Sequence, residues 1–368
     1  MNILHLNSNF ENSTIHYNIV NELNNYPGVS GSLFYPDKLN STYRGNEINF
    51  LVHKKCLIKF ENFFFSIRNE HLLNVIKKNL VLESFSTTLA HSLFSNGYLA
   101  YTLMKKKGIP YSVIVTNTDM NIYFKKMKHL RSKGIKILLN SKKIIFSSVT
   151  YRDELINKYI DDNLKAEILK KSIVIPFGID NFWIENKVKT PKKISSESLK
   201  LLYVGKINKN KNIELTIEAC KILISKGTRI ELTIVGDIVK QKDEKLKQNI
   251  LNNDFVNYVS HTKFENLIEI YRLNDIFIMP SKVESFGLVY AEAMSQGLPV
   301  IYTRNQGFDK QFEEKEIGVS VDSNSVRDVV KGIEYIKDNY QKLSESTYKK
   351  VDKFSWRKVV EMFVKEIS

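Results

Sequence analysis

Met279-Pro-Ser-Lys-Val-Glu284-Ser-Phe-Gly287-Leu-Val-Tyr-Ala-Glu292-Ala-Met294 leaves an apolar strand, turns, and enters a helix. Pro280 cannot donate to a sheet ladder, so the strand Asp275–Met279 ends there. Leu288–Ser295 then reads as helix until Gly297-Leu-Pro299 stops it, with Gly suited to the C-terminal cap and Pro unable to continue. A strand feeding a helix through a short turn is half of a βαβ unit, the building block of a parallel, helix-covered sheet. The N–H groups of Phe286, Gly287 and Leu288 fall at the helix start, where they lack intrahelical acceptors and can face an anion. Glu284 sits in the loop before them, where an acid is favoured by the helix dipole in any case. Glu292 is harder to dismiss: Ala291, Ala293 and Met294 flank it, and a carboxylate in such surroundings needs a dedicated polar partner.

Upstream lies a second junction of the same kind. The strand Leu199–Val204 ends at Gly205, Lys206 and Lys211 follow, and a helix runs over Ile213–Lys226. Ammonium groups beside a helix N-terminus neutralise a diphosphate. Neither Gly-x-x-x-x-Gly-Lys-Ser/Thr nor Gly-x-Gly-x-x-Gly occurs, so the phosphate loop of nucleoside triphosphatases and the dinucleotide fingerprint lack support.

The same alternation extends in both directions. Asn2–Leu6, Leu80–Ser84, Tyr111–Val115, Lys142–Ser147 and Ser172–Ile175 read as strands, with helices at Ile15–Leu23, Asn96–Lys107 and Tyr151–Tyr159. Between and after the junctions come strands Ile230–Val235, Phe255–Tyr258, Pro299–Tyr302 and Gly318–Val321, and helices Leu267–Leu273, Ser325–Tyr340 and Trp356–Ile367. Thr190–Ser198 is polar and aperiodic, which divides the chain into a first domain over 1–182, a linker over 183–198 and a second domain over 199–354. Both are α/β, and in open α/β sheets ligands collect at the carboxyl ends of the strands.

At 368 residues and 43% hydrophobic content the chain can fill two cores. The start lacks the basic and apolar stretches of a secretory signal, and no window is apolar enough to span a bilayer. Cys56 and Cys220 are too far apart in sequence and context to read as a disulfide framework or metal site, so a cytoplasmic setting is expected. The net charge of +15 is concentrated in residues 1–180, with 24 Lys/Arg against 14 Asp/Glu, and Asn121–Lys143 holds eight cations and no acid. Such a field attracts polyanions or an anionic lipid surface, though a solvated basic face fits equally. No aromatic-basic signature of nucleic-acid recognition appears, and nucleic acid is not expected as a partner.

The spacing Glu284-x7-Glu292 within Pro-Ser-x-x-Glu-Ser-Phe-Gly-x4-Glu-Ala-Met, followed by Gly297-Leu-Pro-Val300, resembles the retaining glycosyltransferases of the GT-B fold, family 4 (glycosyl transferases group 1). Leu202-Tyr-Val-Gly-Lys-x4-Lys-Asn212, Thr233-Ile-Val-Gly-Asp237 and Asn274–Ser281 occur in the family's order, Val174–Asp180 is similar to its hinge, and Phe354-Ser-Trp356 to its final helix over 355–368, which crosses back to the first domain. The resemblance implies two Rossmann-like domains facing across a cleft, the first binding acceptor and the second nucleotide-sugar. It implies that Lys206 and Lys211 neutralise the donor diphosphate in place of a metal, and that Gly205, Phe286, Gly287 and Leu288 approach it. Glu284 would hydrogen-bond the donor sugar and Glu292 the ribose, roles that suit acceptor-only carboxylates.

The first domain departs from the family. The loop Asn7–Thr14 lacks the usual glycines, and the family's His-Gly-Thr-Asp stretch reads Thr116-Asn117-Thr118-Asp119. Thr116 cannot act as an acid or base at neutral pH but can bind a sugar oxygen, and Asp119 can orient its loop. His91 follows a strand and resembles a recurrent family His; a lone His there is more often structural than catalytic. Thr116, Asn117, Asp119 and His91 are therefore candidate contacts to acceptor or donor sugar. The expectation is a retaining, metal-independent transferase needing no cofactor beyond its nucleotide-sugar, with UDP favoured over GDP. It would move a hexose or N-acetylhexosamine to a hydroxyl acceptor, such as a lipid-linked saccharide in bacterial surface polysaccharide assembly. The basic stretch and the run Lys59–Arg68 would rest on the inner face of the cell membrane. An inactive GT-B subunit that binds a partner, or a GT-B epimerase or phosphorylase, are the alternatives; oligomeric state is not readable.

Overall fold

A computed structural model describes residues 1–12, 14–43, 48–57, 65–194, 198–238 and 243–367. The chain divides into two compact units: unit 1 holds Met1–Ser147, Tyr151–Phe177 and the chain from Trp356 onward, and unit 2 holds Ser148–Thr150 and Gly178–Ser355. Residues 183–194 pack within unit 2, the N–H of Val188 donating to Ser295 O (2.9 Å) and that of Lys192 to Ser344 Oγ (2.9 Å). Residues 195–197 of the expected linker lie outside the described residues, as do Lys59–Phe64 of the run Lys59–Arg68.

Unit 1 runs β1 (Asn2–Leu6), α1 (Thr14–Asn24), β2 (Ser30–Lys38), β3 (Leu51–Leu57), α2 (Phe65–Asn79), β4 (Thr87–Ala90), α3 (Gly97–Lys107), β5 (Tyr111–Val115), α4 (Arg131–Asn140), β6 (Ile144–Phe146), α5 (Val149–Tyr159), α6 (Asp162–Lys171) and β7 (Ser172–Val174). Its strands form a parallel sheet in the order β3-β2-β1-β4-β5-β6-β7. Period-two alternation splits the core. Ile3, Leu89, Ile114 and Ile145 meet α1 and the C-terminal helix Trp356–Ile367 on one face. Leu4, Leu6, Ala90, Val113 and Phe146 join α2, α3 and α4 on the other.

Unit 2 continues with α7 (Asn181–Glu185), β8 (Leu199–Val204), α8 (Ile213–Ser225), β9 (Ile230–Val235), α9 (Glu244–Leu251), β10 (Val256–Val259), α10 (Phe264–Leu273), β11 (Ile276–Ile278), α11 (Leu288–Ser295), β12 (Val300–Thr303), β13 (Gly318–Val321), α12 (Val326–Asp338) and α13 (Tyr340–Lys350). The order β10-β9-β8-β11-β12-β13 is again parallel. In each unit the chain starts mid-sheet, lays strands one way, then crosses over to lay them the other. The reversals fall between β1 and β4 and between β8 and β11, the topological switch points where open α/β sheets bind ligands.

One expected strand is corrected. Leu80–Ser84 does not join the sheet; Leu82–Ser84 is a 3₁₀ turn, closed by Ser84 Oγ donating to Val81 O (2.7 Å), and the strand begins at Thr87. The sequence reading also lacks β2, β3, α2, α4, α6, α7, α9 and α13.

Candidate functional site

In unit 2 the two junctions meet at the switch point. The N–H groups of Asn210 and Lys211 both donate to Asn208 Oδ1, folding the turn after β8 tightly (3.0 and 3.1 Å). Asn210 then stitches this turn to the loop after β11: its Nδ2 donates to Val283 O (2.8 Å), and its Oδ1 accepts from the Val283 N–H (3.1 Å). Asn212, in the left-handed region at φ 58°, caps α8 and sends its amide to Pro280 O (3.0 Å) and Ser323 O (2.8 Å). The stitching brings Lys211 Nζ to 2.6 Å from Glu284 Oε2, although 73 residues separate them. Ser281 Oγ adds a donor to the same carboxylate oxygen (3.4 Å), and the Glu284 backbone is held by Gln306 and Gly307. Lys206 stays exposed beside this cluster, its carbonyl accepting from Tyr203 Oη (3.0 Å).

α11 starts at Leu288, so Phe286 precedes the helix by two residues and Gly287 is its N-cap at φ 81°. A Cβ on Gly287 would lie 2.4 Å from the Tyr290 ring, so only glycine turns the chain into α11 here, and the Tyr290 N–H closes the first turn on Gly287 O (3.0 Å). Phe286 instead buries its ring among Phe308 and Phe354. Further along α11, the carboxylate of Glu292 accepts a hydrogen bond from Tyr271 Oη (3.2 Å) on α10, the dedicated partner its surroundings require. Burial pushes the Glu292 carboxyl up to about 7; the Tyr271 bond opposes this and the charge of Asp180 adds to it. Sequence reasoning pairs the glutamates by motif but misses Asn210, Asn212, Gln306 and Tyr271, which position them.

Unit 1 holds its own pocket of about 750 Å³ at the β1/β4 switch point. Asn7, Ser8 and Asn9 of the glycine-free loop line it with polar side chains, as do Ser92, Ser95 and Asn96 after β4. Asp119 is buried and saturated: it accepts from the N–H groups of Leu93 (3.0 Å), Phe94 (3.2 Å) and Thr116 (2.8 Å) and from Thr116 Oγ1 (2.8 Å). It therefore ties the loops after β4 and β5 together, and Thr116, on the lining, spends its proton on it. Asn117 is not on the lining; it accepts from Asn121. The cations Lys38 and Arg68 complete a wall of net positive charge.

His91 is not a lone histidine. β1 and β4 are neighbours with His5 opposite Leu89, so His5 and His91, two residues beyond Leu89, lie on the same sheet face. The first turn of α1 places His16 above them. His5 Nδ1 lies 3.1 Å from His91 Nε2, and His91 Nδ1 lies 3.0 Å from His16 Nδ1. Burial lowers His5 to about 3 and His16 to about 4, and holds His91 well below the usual imidazole range, so all three are neutral at pH 7. Only His5 lies within a strand, His91 following β4 and His16 sitting on α1, so no sequence periodicity signals this cluster. Among the described residues no group of three or more His, Cys, Asp or Glu is disposed to hold a metal, the histidines being strung in line rather than converging.

Much of the basic stretch is used internally. Arg131 stacks on Tyr159, Lys133 on Tyr98 and Lys136 on Tyr101, while Lys143 pairs with Glu366 (2.7 Å) and Lys142 reaches Ile367 O (3.3 Å). Lys125, Lys126 and Lys128 remain exposed, next to exposed Ile122. Cys56 on β3 and Cys220 on α8 are unbridged thiols. Among the described residues no helix is long and apolar enough to cross a membrane.

The model of glycosyl transferases group 1 matches residues 185–353. Among curated proteins, the capsular polysaccharide biosynthesis glycosyltransferase CapM of Staphylococcus aureus is 27% identical over 61% of this chain and 62% of its own. The chain spans about half the length of other curated relatives it matches. Among solved structures, the lipopolysaccharide outer core galactosyltransferase WaaB superposes with a TM-score of 0.76 at 15% identity, covering 100% of this chain and 99% of that one. Anabaena HepE in complex with UDP-glucose superposes at 0.67 and 12% identity, covering 99% and 98%. These likenesses establish the two Rossmann-like units of the GT-B fold.

Proposed function

We propose, from the premise that residues 185–353 are a glycosyl transferases group 1 domain within a GT-B chain, that this protein is a retaining glycosyltransferase. It moves a hexose or N-acetylhexosamine from a UDP- or GDP-sugar to a hydroxyl of a saccharide acceptor. The observation that carries the reading is the stitched switch point of unit 2, where Lys211, Glu284 and the N-terminus of α11 share one end of the sheet. Departure of a nucleoside diphosphate develops negative charge, and Lys206, Lys211 and the α11 N–H groups are preorganised to stabilise it without a metal ion. Glu284 orients the donor sugar, its carboxylate steadied by Lys211. Glu292 accepts from the ribose hydroxyls. Same-face attack, with the leaving phosphate taking the acceptor proton, needs no nucleophile from the protein. UDP is favoured because a structural neighbour is known with UDP-glucose bound.

The polar pocket of unit 1 takes the acceptor, with Lys38 and Arg68 facing an anionic group such as the phosphate of a lipid-linked saccharide. Its surroundings support a membrane setting. Leu39, Ile67 and Ile122 are exposed beside the lining residues Lys38, Arg68 and Tyr123, and Lys125, Lys126 and Lys128 follow. Apolar side chains interleaved with cations are the composition of an anionic lipid contact. The setting is then the inner face of a bacterial membrane, in surface polysaccharide assembly, a reading in keeping with the capsular polysaccharide biosynthesis named for CapM.

The test is transfer of labelled sugar from a panel of UDP- and GDP-sugars to lipid-linked saccharides in anionic vesicles. The expected product keeps the donor's anomeric configuration by NMR and is lost at high salt when the acceptor is bilayer-embedded. An inverted product overturns the retaining mechanism; absence of any nucleotide-sugar binding by thermal shift overturns the transferase, since a ligand at a hundred times its Kd stabilises by about 2.7 kcal/mol.

A further inference from the structure

The histidine chain of unit 1 has a direction. His5 Nε2 is buried and has no hydrogen-bond partner, enclosed beside Gly31 of β2. A neutral imidazole carries one proton, and buried N–H groups without acceptors are rarer than buried acceptors without donors. The proton of His5 therefore sits on Nδ1 and is donated to His91 Nε2. His91 then carries its own proton on Nδ1 and donates it to His16 Nδ1. His16 is left with its proton on Nε2, and His16 lines the pocket.

We infer that the chain His5–His91–His16 fixes the tautomer of His16, making it a neutral hydrogen-bond donor through Nε2 to an oxygen of the pocket's occupant. His16 is thus a positioning residue for the bound molecule, not a general base, because its lone pair is spent on His91. The charged groups lining the same pocket are Lys38 from β2, Arg68 from α2 and Asp119, the last saturated by four donors, and burial holds His16 neutral. The occupant must offer a hydroxyl, carboxylate or phosphate oxygen at this point, and a free amine or amide N–H there is rejected. That the occupant is a saccharide rests on the proposed function; the tautomer does not.

The experiment uses the full-length, ligand-free protein with ¹⁵N-labelled histidine and long-range ¹H–¹⁵N correlation, with His16→Gln supplying the assignment. The expected pattern for His16 is a protonated Nε2 and an unprotonated Nδ1, unchanged from pH 8 to pH 5.5. A proton on Nδ1, or titration near the ordinary imidazole value, overturns the inference. His5→Phe removes the anchor and is expected to move His16 toward a mixture of both tautomers; an unmoved pattern in a folded variant overturns the role of the chain. Should His5→Phe not fold, the wild-type spectrum still decides. Because no ligand is present, a negative result here leaves the transferase reading untouched, and failure of that reading leaves this one standing.

Discussion

Lowering the pH from 8 to 6 tests Glu292 as a ribose clamp. Clamping both hydroxyls of a vicinal diol takes both carboxylate oxygens as acceptors, protonation turns one of them into a donor, and burial raises Glu292 to about 7 against the opposing Tyr271 bond. Over this interval the ionised fraction falls from about nine-tenths to about one-tenth, so donor affinity drops about tenfold, or about 1.4 kcal/mol. Isothermal titration with UDP-glucose is the suitable assay, because both its phosphates are esterified while the terminal phosphate of UDP titrates near pH ~6. Titration at pH 7 in buffers of different ionisation enthalpy reads the accompanying proton release. Glu292→Gln is the control: weaker binding, flat with pH. The same group leaves a mark on stability. Its folded value lies above the ordinary 4.5, so the native state holds extra protons between the two and loses stability as pH rises through that window. The Gln variant then gains on the wild type in melting temperature as pH rises from 4.5 to about 7, and the difference levels off above that. Wild-type affinity that stays level between pH 8 and pH 6, or a Gln variant with the same slope, refutes the clamp.

Three further outcomes follow from the same geometry. A double-mutant cycle over Lys211→Met and Glu284→Gln, read by chemical denaturation, gives a coupling of about 1–2 kcal/mol, and additive effects dismiss the pair. Asp119→Asn turns an NH₂ toward donors that need an acceptor and costs about 2–4 kcal/mol in calorimetry, with donor binding at unit 2 unchanged. Gly287→Ala forces the cap of α11 out of its left-handed turn, so UDP-glucose affinity falls at least severalfold in the same titration.

The two junctions of unit 2 were legible because the parts of each are close in sequence. Gly205 to Lys211 and Pro280 to Glu292 are single strand–turn–helix junctions, each readable from turn residues and helix-start rules. What was hidden there is the stitching by Asn210, which depends on β8 and β11 being neighbours. In unit 1 the signal is weaker for physical reasons. β3, Leu-Val-His-Lys-Lys-Cys-Leu, is an edge strand whose residues are only half-buried, so it shows no clear alternation. β2 contains Pro36 and Asp37, which read as turn residues although the strand continues through them. α13 buries Ser344 and Thr347 beside Tyr340 and Leu343, so its inner face looks polar. The histidine chain was unreadable because His5, His16 and His91 meet only through the register of two strands and the seat of one helix.

The C-terminal helix gives the chain an unusual timetable. Trp356, Val359, Val360, Phe363 and Ile367 fill one face of the unit 1 core, yet they leave the ribosome after all of unit 2. At ordinary elongation rates, residues 178–355 take roughly 10–35 s to synthesise. During that interval Ile3, Ile19 and Ile114 lack the surface that covers them in the finished protein. Unit 2, contiguous apart from Ser148–Thr150, has every strand it needs before the last helix emerges. The second half of the chain is thus synthesised while an apolar face of the first still awaits its cover.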